Sequence, residues 1–91
     1  MIYKINIRKK AVKVVEKWEK SNPKMYAKFR ELIADMQSHP RTGIGHPEPL
    51  VGGKDITYSR HISAHDRVVY DIYDDIITIL IIKVEEHYND K

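Results

Sequence analysis

Tyr3, Ile5 and Ile7 alternate with Ile2, Lys4 and Asn6, the period of two that a half-buried strand requires, and predict a first strand over residues 2–7. The period then changes. From residue 8 to about residue 19 the apolar positions Ala11, Val12, Val14, Val15 and Trp18 recur at spacings of three and four among charged residues, predicting an amphipathic helix. Ser21-Asn22-Pro23 supplies a capping side chain and a proline suited to the first helical position, so a second helix starts there. Its apolar positions Met25, Phe29, Leu32, Ile33 and Met36 hold one face, with Lys24, Lys28, Arg30 and Glu31 on the wet side. It should end near Ser38 or His39, because Pro40 disfavours helical backbone in the residue before it.

Residues 40–53 hold three of the four prolines and all four glycines, which predicts a loop governed by turn chemistry and long enough to be functional. Strand patterns return over residues 56–62, 67–73 and 76–84, separated by Ser63-Ala64-His65-Asp66 and by Asp74-Asp75. Such short connections make antiparallel neighbours. Residues 76–82 are apolar on both faces, which places that strand centrally or under cover on both sides. The expected fold class is α+β, a single domain over residues 1–91 with an N-terminal strand and a two-helix hairpin packed on a twisted, mainly antiparallel sheet. A two-residue turn at Asp74-Asp75 would set Arg67 opposite Ile82 and leave His87 about 16 Å further along at standard strand rise. For Arg67 and His87 to meet, a bend or bulge near residues 83–86 is required.

Composition narrows the chemistry. The chain has 91 residues and no cysteine, which excludes a disulfide framework, a thiolate zinc site and a cysteine nucleophile, and fits a reducing compartment. The start, Met1-Ile2-Tyr3-Lys4, is too broken by polar residues for a signal peptide, and no apolar run approaches membrane-spanning length, so a cytoplasmic protein is expected. Lys and Arg number 16 against 13 Asp and Glu, a net charge of +3 that favours polyanionic partners. His61 and His65 fall on a strand and a turn with no acidic cluster to complete a site, so neither metal nor cofactor is expected.

Four stretches stand out by order and spacing: Gly45-His46-Pro47-Glu48-Pro49-Leu50, Ser59-Arg60-His61-Ile62, Asp66-Arg67-Val68-Val69-Tyr70 and His87-Tyr88. With the strand-helix-helix opening, they make the chain resemble the YoeB/Txe toxins of the RelE/ParE superfamily. The resemblance implies a RelE/ParE-like toxin fold and cleavage of messenger RNA on the ribosome, near the 16S rRNA of the A site. It also implies neutralisation by a YefM/Axe-type antitoxin and a capacity to form homodimers. By position, Glu48 resembles the family's general base, Arg67 its phosphate-binding arginine and His87 its general acid, with Tyr88 beside it contacting or positioning RNA. The chain departs from the pattern at His61, where a second arginine is usual, at Val51, where a lysine is common, and in a longer segment between Arg67 and His87. Lys54 and Arg60, with His61, are then the candidates for further phosphate contact.

Those residue types permit metal-independent RNA cleavage. The ribose 2′-OH lies beside the phosphorus and needs deprotonation by a carboxylate, protonation of the departing 5′-oxygen by an imidazolium, and a guanidinium to oppose charge on the phosphorane. Two rival functions remain at this stage. One is a non-catalytic ParE-like toxin that binds a protein such as DNA gyrase, and the other is a basic RNA-binding module.

Overall fold

The computed structural model describes residues 1–87. Strand β1 (Lys4–Ile7) leads into helix α1 (Lys9–Ser21) and helix α2 (Pro23–Ser38), followed by the short β2 (Glu48–Pro49), then β3 (Thr57–His61), β4 (Arg67–Tyr73) and β5 (Thr78–Glu85). Five strands form one sheet in the order β1-β5-β4-β3-β2, antiparallel throughout except that β1 runs parallel to β5. The α+β architecture is therefore the expected one. The apolar run of β5 lies centrally in the sheet, between β1 and β4.

Local signals account for the helix boundaries. The Met25 N–H donates to the Asn22 side chain at 3.3 Å, and Pro23 occupies the first turn of α2, where its missing donor leaves no bond unmade. The two helices cover one face of the sheet. Trp18 and Phe29 meet edge to face with centroids 6.3 Å apart, and Leu32 and Met36 join them against Val68, Tyr70, Ile72, Ile79, Ile81 and Val84. Among the described residues, no helix is long and apolar enough to cross a membrane.

Three elements differ from their sequence expectation. The loop over residues 40–53 contains β2, because Glu48 and Pro49 pair with Ser59 and Tyr58. The β4–β5 connection is longer than two residues. Asp74–Ile76 form a 3₁₀ turn closed by Ile77 in the left-handed region at φ 49°, so residues 76 and 77 belong to the turn.

The third difference is where the bulge lies: the irregularity required near residues 83–86 falls just before them, at Ile82. Tyr70 pairs with Ile81 but Val69 pairs with Lys83, leaving Ile82 as an extra residue in β5. Without that slip a regular ladder through Ile82 would turn Lys83 and Glu85 into the core. With it, Ile79, Ile81 and Val84 face the helices, while Lys83 and Glu85 share the open face with Arg67 and Val69. The longer turn moves Arg67's partner two positions along β5 and the bulge moves it one more, from the expected Ile82 to Glu85.

Candidate active site

Strand parity distributes the candidate residues between the two faces. Glu48 pairs with Ser59, Ser59 with Val69 and Val69 with Lys83, so these four form one row across the open face. His61, Arg67 and Glu85 form the next row. Glu48 and Arg67 thereby line a common cleft of about 330 Å³ with Pro49, Leu50, Val51 and Ser59. Glu48 is exposed, whereas only 14% of the Arg67 side chain is accessible and its Nε–H donates to Glu85 Oε1 at 2.7 Å. Lys83 Nζ approaches the same carboxylate oxygen at 3.9 Å.

His87 follows, by two residues, Glu85, the ladder partner of Arg67. Two contacts fix its backbone. Glu86 is gripped by α1, its carboxylate taking Lys17 Nζ at 2.6 Å and the Trp18 indole N–H at 3.1 Å. The His87 N–H donates to Asp66 Oδ1 at 3.1 Å, and Asp66 Oδ2 in turn accepts from Ser63 Oγ at 2.6 Å. His87 has φ 55°, in the left-handed region that is uncommon for residues other than glycine. Tyr88 lies outside the described residues.

The remaining candidates scatter. Lys54 is exposed in the loop before β3, its carbonyl accepting from the Thr57 N–H at 2.9 Å. His61 sits opposite Arg67 in the ladder and borders a second hollow with Lys28, Glu31, Leu32, Ile44, Gly45 and Ile62. Arg60 corrects the expectation of phosphate contact. It is 0% exposed, and its Nη1 donates to Asp35 Oδ2 at 2.7 Å, so its charge is spent inside. The reason is alternation: consecutive strand residues point to opposite faces, and Ser59 and His61 claim the open one. Among the described residues, no group of three or more histidine or acidic side chains is arranged to hold a metal ion.

Electrostatics follow from these contacts. Burial pushes the Asp35 carboxyl up, but the Arg60 hydrogen bond, the Ile44 amide and the charges of Arg60 and His39 together hold it below the usual carboxylate range. Asp74 is likewise depressed, first by its hydrogen bond from Arg41 and then by that from Tyr3.

Sequence reasoning missed the contacts of Asp66 and Glu86 near His87 and the exact position of the bulge, Ile82. Only the last had a signal, because the inward apolar phase changes from odd to even positions between Ile81 and Val84.

A helix pair on one face of such a mixed five-stranded sheet is the fold of the RelE-type toxins. The free Escherichia coli toxin RelE superposes over 99% of this chain and 88% of its own with a TM-score of 0.71, at 20% identity, a likeness of fold. The profile of the YoeB-like toxins of bacterial type II toxin-antitoxin systems matches residues 7–88, and the chain belongs to that family. It is 37% identical over 71 residues to the toxin YoeB of Streptomyces coelicolor, covering 78% of this chain and 82% of that one. Among solved structures, a YoeB/ParE toxin from Agrobacterium tumefaciens covers 93% of this chain and 99% of its own at TM-score 0.85 and 29% identity. A YoeB dimer from Staphylococcus aureus covers 97% and 100% at 0.84 and 28%. The toxin of a heterotetrameric YoeB–YefM complex from the same organism covers 97% and 100% at 0.81 and 28%.

Proposed function

We propose that this toxin is a ribosome-dependent, metal-independent endoribonuclease that cuts messenger RNA by general acid-base catalysis. The observation that carries this reading is the shared cleft of Glu48 and Arg67, with His87 two residues beyond the partner of Arg67. The Glu48 carboxylate takes the proton of the ribose 2′-OH, the 2′-oxygen attacks phosphorus, and the bond to the 5′-oxygen breaks. His87, as imidazolium, delivers a proton to that oxygen, leaving a 2′,3′-cyclic phosphate and a 5′-hydroxyl. Arg67 opposes the charge building on the phosphorane through its guanidinium, whose Nε edge is oriented by Glu85. Tyr88 positions the RNA beside His87, and Lys54 and His61 contact phosphates flanking the cleft.

The exposure of Glu48 explains why a second macromolecule is needed. An open cleft aligns a flexible strand poorly, and alignment is worth more than either proton transfer. The ribosomal A site supplies it in this reading. The toxin acts in the cytoplasm, is silenced by a YefM-type antitoxin that orders over the cleft, and associates as a homodimer, as the Staphylococcus aureus relatives' structures suggest.

Induction in cells with mapping of messenger ends at ribosome-bound codons tests this. The native chain is expected to cut and to leave cyclic phosphate ends identifiable by mass spectrometry, while Glu48→Gln and His87→Ala lose about 10²-fold or more and Arg67→Ala a comparable amount. Arrested growth with intact messages would point to a protein target such as gyrase.

A further inference from the structure

The proposed chemistry leaves unused a cation sealed in the interior. The Arg60 Nε–H donates to the Tyr70 hydroxyl at 2.9 Å, and Nη1 donates to Asp35 Oδ2 at 2.7 Å and to the Ile44 carbonyl at 3.2 Å. Nη2 donates to the Thr42 carbonyl at 2.8 Å and to the carbonyl of His39. The Tyr70 hydroxyl in turn donates a hydrogen bond to the Pro40 carbonyl at 2.8 Å. Asp35 Oδ2 closes the circuit by accepting the Ile44 N–H at 3.1 Å. The carbonyls of residues 39, 40, 42 and 44 thus converge on one guanidinium and one phenol.

All four belong to the connection between α2 and β2, whose surface residues Arg41, Thr42, Gly43 and His46 are exposed and supply no core of their own. The same connection delivers Glu48. Just beyond the network the Gly45 carbonyl accepts the His61 N–H at 2.7 Å, and Glu48 then pairs with Ser59, so both neighbours of Arg60 on β3 hold the arm it anchors. A buried ion pair is a poor way to gain stability, since apolar packing of equal volume often does as well. What apolar packing cannot do is hold several carbonyls in fixed directions, which a planar group with five donors does.

We infer that Arg60, with Asp35 and Tyr70, is the positioning device for the arm that carries Glu48 and sets where that carboxylate stands relative to Arg67. The inference rests on the reading of Glu48 as general base. Arg60 touches no RNA in this role.

The test uses the purified toxin, programmed ribosomes and two independent lesions. Arg60→Lys keeps the charge and loses the planar fork. Gly43→Ala leaves Arg60 intact but places a Cβ 2.0 Å from Asp35 Oδ2, at a φ of +114° that strains any side chain. Each variant is expected to lower kcat about tenfold or more while KM for the ribosome holds within about twofold. Amides of residues 42–46 and of Glu48 should lose hydrogen-exchange protection while those of β4 and β5 keep theirs, and neither variant should lower activity further in a Glu48→Gln background. Unchanged kcat in both variants, or losses that multiply with that of Glu48→Gln, overturns the proposal. If Arg60→Lys does not fold, Gly43→Ala decides. A Glu48→Gln protein with full activity would sink the general-base reading, and the exchange data would still report whether Arg60 orders the arm.

Discussion

At the scale of single residues, neighbours in sequence have unlike fates. Arg60 and His61 look like a pair of phosphate contacts in the chain, yet one is sealed under the helices and the other stands opposite Arg67. That outcome was legible, because Ser59 and Arg67 set the parity of the open face and Arg60 falls out of phase with it. Arg67 itself pairs with Glu85, one of the acidic partners its strand position allows. Asp66 was not legible as a site residue, since its contact is to a backbone N–H. Replacing it by alanine releases the His87 amide, and cleavage is expected to fall about tenfold with a melting temperature lowered by only a few degrees. Full activity in Asp66→Ala would show that the contact does not place the imidazole.

Among the elements, periodicity located both helices and the three longer strands, because each has an apolar face long enough to register. Two features escaped. β2 has only Glu48 and Pro49, too few for any period, and exists because β3 offers it an edge. The turn and bulge that set Glu85 opposite Arg67 depend on Ile77 taking the left-handed conformation and on Ile82 standing outside the ladder, choices made by the assembled sheet. Deleting Ile82 gives a sharp test, because Lys83, Val84 and Glu85 keep their faces in a regular ladder. The variant should retain its circular dichroism spectrum, whereas removing the kink re-aims the segment that carries His87 and should cut messenger cleavage severely. A deletion variant that cleaves at the native rate would make the bulge dispensable.

For the molecule as a whole, charge and pH enter together. The Asp35 and Asp74 carboxyls are both held below the ordinary aspartate pKa of 3.8 in the folded state. A depressed carboxylate contributes stability that is present above the unfolded pKa and lost as pH falls through the folded one, so thermal stability should decline as the solution is acidified below about pH 4. Asp35 carries the larger share, because Asp74 is solvent-exposed and its pairing is screened. Asp35→Asn should flatten the decline, measured as melting temperature against pH, and an unchanged slope would remove Asp35 from that account.

The parallel pairing of β1 with β5 has a consequence for how the toxin comes into being. Lys4 finds its partner only at Thr78, so the first strand made must wait for nearly the last. While the polypeptide is being synthesised, β4 lacks the neighbour that sets Arg67 and the helices lack much of the surface they cover. The sheet is therefore complete only once β5 slots between its two neighbours, near the end of synthesis.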